Sequence, residues 1–473
     1  MGEPKQLHVA VFPWLAFGHL IPYLELSKLI AQKGQQVSFI STPRNIQRLP
    51  KIPPNLAQNI NFVILNLPPT ENLPPNAEAT ADVPFHTIPY LKRAFDGLQD
   101  SLAHFLETSK PDWVICDFAP HWLPPVTARL GLSLAHFIIF SAWTTSFLGP
   151  SSLAMINGDD PRTLPEHFTV PPEWIPFPSK VAFRLHEAKR FLDHFEVNPS
   201  GASDFHRLGT VIAGSDAIFI RSCMELEANF LRLVAEIHGK PAIPLGTLPP
   251  SSAVVTEGQE DDTWLTISEW LDKQNEGSVV YVAFGSELTI NQEQLTELAL
   301  GLELSGLPFL WALRKRPADS AEGESVELPD GFEERVRGRG LVWTSWAPQR
   351  RIMAHESVGG FLTHCGYSSV LEALYFGLAL IMLPFHIDQG LIARVFEEKR
   401  VGIEVPRDEE DGSFTSHSVA ESLKLVVADK QGEMYKDNAK QMRKLLGDND
   451  VNDRYINQFI EFLQSHRART PRG

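Results

Sequence analysis

Two tandem α/β domains, each a parallel sheet with crossover helices, are what this sequence predicts. Three observations carry that expectation. Short apolar runs alternate with helical patterns in the first half of the chain. The same plan restarts in the second half. Between the halves lies a stretch rich in Pro, Ser and acids with no periodicity, which is linker composition. At 473 residues the chain also exceeds what one ordinary core serves.

The elements follow in order. LHVAVF (7–12) is apolar throughout, as a strand covered on both faces must be. A loop from Pro13 to Gly18 leads to a helix expected from about Ile21 to Lys33. VSFIST (37–42), WVICD (113–117) and AHFIIFS (135–141) are the next strands. The second half opens with SVVYVAFGS (278–286), a strand ending in a small-residue turn. A helix from Asn291 to Leu304 puts Leu295, Leu298, Ala299 and Leu302 on one face. FLWAL (309–313), LVWTS (341–345), GGFLTH (359–364), ALIMLP (379–384) and VGIEV (401–405) continue the series. The expected division is a first domain over 1–245, a linker over 246–263 and a second domain over 264–450. A terminal helix and tail over 451–473 then pack back on the first domain. Arg314 to Glu324 reads as an exposed loop, and no 20–50-residue repeat points to a solenoid.

Composition excludes several classes. A formal charge of −16 opposes a nucleic-acid or anionic-membrane surface. Cys116, Cys223 and Cys365 are odd in number and far apart, so a reducing compartment is expected. The N-terminus enters a strand at once, without a signal-peptide pattern. Leu132 to Ile156 is apolar but interrupted by polar residues and Pro150. It reads as a buried strand and helix rather than a membrane span. A cytoplasmic monomer is the expectation.

Ligands of open α/β sheets bind beyond the carboxyl ends of strands. THCGYSS (363–369) lies there. His364 ends a strand, Gly366 lets the backbone turn, and Ser368 and Ser369 open a helix whose free N–H groups suit a pyrophosphate. FGSELT (284–289), with Ser286, lies at another strand end. Trp346 offers a face for an aromatic base. Gln349 and Glu372 suit ribose hydroxyls, and Asp388 with Gln389 suits a sugar. Taken singly, each has an ordinary reading as a cap, a core side chain or a turn. In the first half, His19 follows the first strand at a helix entry. An imidazole there suits a general base, and equally a cap. Asp117, at the end of WVICD, can orient that imidazole through its other nitrogen, or simply cap a loop.

The ordered run from Trp346 to Gln389 resembles the signature box of plant family-1 UDP-dependent glycosyltransferases, over its full length and without a gap. The likeness extends to FPWLAFGHLIPYLELSKLI (12–30) and VELPDGFEERVRGRGLVWTSWAPQ (326–349). VGIEVPRDEEDGSF and GLELSGLPFLWA resemble the branch-forming, sugar-on-sugar subgroup, which includes steviol-glycoside and saponin enzymes. The resemblance implies two Rossmann-like domains facing across a cleft, the GT-B arrangement. It implies that Trp346 stacks uracil, Glu372 holds ribose, and His364 and Ser369 meet the diphosphate. Asp388 and Gln389 bind sugar hydroxyls. Gly18, Ser286, Ala347, Gln349, Gly366, Tyr367 and Ser368 complete the donor contacts. The family usually has Trp-Asn after His-Cys-Gly, where this chain has Tyr367 and Ser368.

The same resemblance implies that His19 and Asp117 are the catalytic pair and that transfer inverts the anomeric centre. No metal and no resident cofactor is implied, the UDP-sugar being a co-substrate. UDP-glucose is the first donor expected and UDP-rhamnose the second. A hydrophobic glycoside acceptor of terpenoid or flavonoid type is expected, with Trp14, Phe85, His86, His121, Trp122, Trp143 and His186 as acceptor contacts. Two rivals stand beside this reading. One is a non-catalytic UDP-sugar or small-molecule binder on the same fold. The other is an NAD oxidoreductase, which lacks its G-x-G-x-x-G after the first strand.

Overall fold

The computed structural model describes residues 6–248, 262–285, 288, 290–313 and 326–466. The first sheet holds β1 (His8–Phe12), β2 (Gln36–Ser41), β3 (Ile60–Ile64), β4 (Trp113–Cys116), β5 (Ser133–Ile138), β6 (Ala217–Ile220) and β7 (Ala242–Pro244). Their spatial order is β3-β2-β1-β4-β5-β6-β7. The second sheet holds β8 (Val279–Ala283), β9 (Phe309–Ala312), β10 (Gly340–Trp343), β11 (Val358–Thr363), β12 (Ala379–Met382) and β13 (Gly402–Glu404). Its order is β10-β9-β8-β11-β12-β13. Every pairing in both sheets is parallel. The two-lobed α/β architecture expected from the sequence is the one observed.

Period-2 alternation, with both faces covered, explains why β1 is apolar from Val9 to Phe12. In β1, Val9 and Val11 pack on one side with Leu20 and Leu24, while Ala10 and Phe12 pack on the other with Phe95 and Leu102. Both faces are roofed by helices, so no position of the strand can be polar without cost. In each sheet the strand order reverses once, at β1/β4 and at β8/β11. A crevice opens at the carboxyl end of such a reversal, and the chain places its chemistry at both.

The helix Phe17–Gln32 begins one turn earlier than expected, with Pro22 inside it. Pro22 is its sixth residue, past the first turn where proline fits most easily. Three strands escape the sequence pattern. β3 is a half-exposed edge, β6 has only four residues, and β7 is a three-residue edge ending at Pro244.

The helix Asn449–Ser465 returns to the first lobe. Phe459, Ile460 and Leu463 join the β1-side core, and the Trp113 indole N–H donates to the Leu463 carbonyl at 2.9 Å. The lobes also meet directly. One apolar cluster contains both Trp143 and Phe147 of the first lobe and Tyr281, Phe361 and Tyr367 of the second. Beside it Arg184 pairs with Glu404 at 3.1 Å, and Arg394 pairs with Glu187 at 2.7 Å and also with Glu404. Among the described residues no helix is long and apolar enough to cross a membrane. Residues 249–261 of the expected linker, Arg314 to Glu324, Ser286 and the tail after His466 lie outside the described residues.

Candidate active site

His19 is the third residue of Phe17–Gln32, just past β1, and Asp117 directly follows β4. The first sheet's reversal therefore brings together side chains 98 positions apart. His19 Nδ1 lies 2.7 Å from Asp117 Oδ2. The carboxylate accepts two more bonds, from the Trp14 N–H at 3.1 Å and the Phe118 N–H at 2.8 Å. Burial alone would raise the Asp117 pKa. The charge and hydrogen bond of His19, the nearby His136 and the Trp14 amide reverse that and hold it below its ordinary value. An ionised carboxylate can only accept, so Nδ1 carries a proton and Nε2 is the nitrogen that a neutral imidazole would offer as the base. The imidazole is 22% exposed while its carboxylate is 3% exposed, so the base reaches solvent and its partner does not.

The second reversal holds His364, one residue past β11, against Gly285, two residues past β8. A Cβ on Gly285 would lie 3.0 Å from the His364 ring, and one on Gly366 would lie 2.6 Å from Nε2. Gly285 also has φ +75°. Two backbones thus wrap the imidazole closely. Burial and the neighbouring His386 push His364 down to about 4, so the ring is neutral at pH 7. The helix Tyr367–Phe376 starts at Gly366 with no side-chain cap. Its first-turn N–H groups are left for another acceptor, which is the requirement of an anion site.

Around this centre stand the other expected donor residues. Trp346 is 76% exposed, its carbonyl held by the Trp343 indole N–H at 3.2 Å. A large indole left in solvent costs apolar area and offers an open face for stacking. Gln349 Nε2 donates to Glu372 Oε2 at 3.0 Å, joining those two residues into one polar unit. Arg350, which the sequence reading missed, grips the other carboxylate oxygen at 2.8–2.9 Å. The signal was one residue away: a cation beside Gln349 on the same short helix, Gln349–Met353.

Asp388 and Gln389 do not end a strand. β12 stops at Met382, and they open the helix Gln389–Glu398. Gln389 Oε1 accepts from the Phe385 and His386 amides, both at 2.9 Å, which leaves its NH2 as the outward donor. Burial pushes the Asp388 carboxyl up to about 6, opposed by its own backbone amide and by the field of His19. His19 of the first lobe thus lies within electrostatic reach of Asp388 of the second. Gly18 faces open space at the same edge.

Several expected contacts are placed elsewhere. Tyr367 is buried and packs edge-on against Trp143, ring centroids 5.8 Å apart, instead of facing a sugar. Trp143 is thereby committed to the seam between the lobes. Trp14 is buried against Phe95, its amide spent on Asp117. His186 is buried against Gly412 of the second lobe. Burial removes these three from any acceptor role that needs an open face. Trp122 is nearly enclosed and donates to Asp96 at 3.1 Å, and His121 Nδ1 meets Arg207 at 3.0 Å. Phe85 is 71% exposed, stacked on His386 across the cleft with centroids 6.5 Å apart, and His86 is exposed beside it. Ala347 lies next to Trp346, and Ser369 sits part-exposed in the first helical turn.

Comparison with known proteins gives a consistent picture. Residues 255–470 match the family model described as UDP-glucoronosyl and UDP-glucosyl transferase. Residues 5–114 match a glycosyltransferase N-terminal domain. UDP-glycosyltransferase 91D2 of Stevia rebaudiana is 53% identical over 98% of this chain and 96% of its own. Soyasaponin III rhamnosyltransferase of Glycine max is 42% identical over 98% and 97%. Anthocyanidin-3-O-glucoside rhamnosyltransferase of Petunia hybrida is 33% identical over 96% and 95%. The crystal structure of Glycyrrhiza uralensis UGT73P12 superposes with a TM-score of 0.79 at 22% identity, over 98% of this chain and 96% of that one.

Proposed function

The chain belongs to the UDP-glycosyltransferase family, and from that premise we propose that it transfers a sugar, with inversion, from a UDP-sugar to the hydroxyl of a glycoside. The observation that carries this reading is the pairing of the two reversals. An imidazole backed by an ionised carboxylate stands at one, and an uncapped helix N-terminus stands at the other.

In this mechanism the donor's uracil stacks on Trp346, and its ribose hydroxyls meet the Gln349–Glu372 unit. The diphosphate sits at the start of Tyr367–Phe376, beside His364. Asp388 and the Gln389 amide hold the sugar. His19 Nε2 takes the proton of the acceptor hydroxyl, and Asp117 stabilises the imidazolium that forms. The acceptor oxygen forms its bond to the anomeric carbon as the bond to the diphosphate breaks. A single displacement of this kind turns an α-linked UDP-glucose into a β-glucoside. The negative charge that develops on UDP is met by fixed dipoles already aimed at it. The reading needs no resident cofactor.

UDP-glucose is the first choice of donor and UDP-rhamnose the second. Two of the relatives are named as rhamnosyltransferases, which keeps the second in play. A glycoside acceptor is favoured because one of them is named for an anthocyanidin glucoside. The exposed Phe85 ring at the cleft mouth also suits the apolar face of a pyranose. The test is an incubation of the protein with mixed UDP-sugars and paired aglycones and monoglycosides of terpenoids and flavonoids, read by mass spectrometry and NMR. A β-linked second sugar on a monoglycoside is expected from UDP-glucose. Turnover of aglycones alone overturns the acceptor proposal, and a retained anomeric configuration overturns the mechanism.

A further inference from the structure

We propose that Arg221, a first-lobe residue, supplies the counter-cation of the donor's diphosphate; the inference rests on the UDP-sugar reading above. Arg221 directly follows β6 and is 6% exposed. Its Nε donates to the Thr247 carbonyl at 3.0 Å, and its Nη1 crosses to the second lobe and donates to Ser368 Oγ at 2.6 Å. Ser368 is the second residue of Tyr367–Phe376, the helix whose first turn lacks a side-chain cap. A short serine at that position is what lets a guanidinium come so near the first turn.

Both partners of Arg221 are neutral oxygens. Among the described residues no carboxylate lies within ion-pair distance of it, and Nη2 carries no hydrogen bond. Among the described residues the other two buried arginines each have a carboxylate against them: Arg162 has Asp160, and Arg207 has Asp96. Removing a guanidinium from water without an anion costs several kcal/mol. A strut between lobes needs no such charge, because a neutral amide reaching Thr247 and Ser368 would serve. A cation is needed if an anion arrives.

The anion that fits is fixed by what surrounds the guanidinium. Its planar fork matches two phosphate oxygens, and the adjoining helix start presents unpaired N–H groups to the same place. The buried hydroxyl of Tyr367, the residue before Ser368, also lies near the guanidinium, with Ser222 as its other polar neighbour. Burial disfavours the charged guanidinium more than Tyr367, Glu372 and Glu25 favour it, and Arg350 adds to the burial, a deficit that an arriving diphosphate would offset.

The test compares UDP with uridine, which lacks the phosphates, by isothermal titration calorimetry on the full chain. R221M removes the charge and keeps an apolar stem; R221K keeps a point charge without the fork. For R221M, UDP affinity should fall about 10- to 100-fold, the range for hydrogen bonds to charged groups. Uridine affinity should stay within about twofold. R221K should fall between wild type and R221M, and it carries the test alone if R221M does not fold. An unchanged ratio of UDP to uridine affinity in either folded variant overturns the inference and leaves Arg221 a strut. If the wild-type protein binds UDP no more tightly than uridine, the donor-site reading itself fails, which is a distinguishable result.

Discussion

Replacing Asp117 with Asn removes one charge and almost no volume, which makes it the sharpest probe of the proton relay. The wild-type carboxylate accepts three hydrogen bonds: His19 and Trp14 on Oδ2, and Phe118 on Oδ1. An amide has one oxygen and one NH2. With its oxygen toward His19, its NH2 confronts the Phe118 N–H, 2.8 Å from the wild-type oxygen. With its oxygen toward Phe118, its NH2 confronts the Trp14 N–H and forces His19 to accept at Nδ1, which puts the proton on Nε2. Either way one buried amide is stranded, at about 1–3 kcal/mol of stability. In the first arrangement the imidazolium formed during transfer has no anion behind it. In the second the base has the wrong tautomer. Positioned general bases contribute about 10²- to 10⁴-fold, so kcat should fall by that factor. Asp117 touches no expected donor contact, so UDP affinity should stay within about twofold. Initial rates at saturating donor and acceptor measure the first quantity, and calorimetry with UDP measures the second. If folded D117N keeps kcat within about threefold of wild type, Asp117 does not support the base and the relay is wrong.

Three further outcomes follow from the site. W346A removes an exposed ring, so melting temperature should barely move, while UDP affinity should fall roughly 5- to 150-fold, the range for losing one base-stacking aromatic; equal UDP affinity by calorimetry would refute the stacking role. G366A places a methyl 2.6 Å from His364 Nε2, so the ring must shift and donor KM should rise in steady-state assays, and an unchanged donor KM argues against His364 as a donor contact. Burial pushes Glu227 up to about 7, opposed by Ser222 and the Ala142 and Trp143 amides. That value lies above its ordinary 4.5, so between the two the folded protein holds a proton that the unfolded chain releases, and its contribution to stability falls as pH rises. E227Q removes this term, and the decline in melting temperature from pH 5 to 7 should shrink; an identical slope contradicts the assignment.

The chemistry was more legible in the sequence than its surroundings. Asp117 could be picked out because an apolar strand gives way to a polar residue there, and His19 because it stands at the helix entry after the first strand; the strand order then brings those two places together. Trp346, Gln349 and Glu372 were legible for a similar reason, being close in sequence on consecutive elements. Arg221 was not, because nothing local marks it. Its importance comes from Ser368, 147 positions away, and from the absence of a carboxylate. Tryptophans and histidines misled in the opposite direction. Trp14, Trp143 and His186 look like pocket residues by type and place, but what decides their exposure is packing from the other lobe or from distant helices. β3 and β7 were missed because edge strands need only one partner and carry a weak apolar pattern.

The helix Asn449–Ser465 has a mechanical meaning. Because the chain comes home through this helix, the first lobe's sheet is clasped by a segment that follows the second lobe in sequence. That fastening adds to the shared apolar cluster and the ion pairs that already join the lobes. Cutting the polypeptide before Asn449 would therefore do more than shorten it. It would open that clasp and bare the flank of the sheet at Trp113.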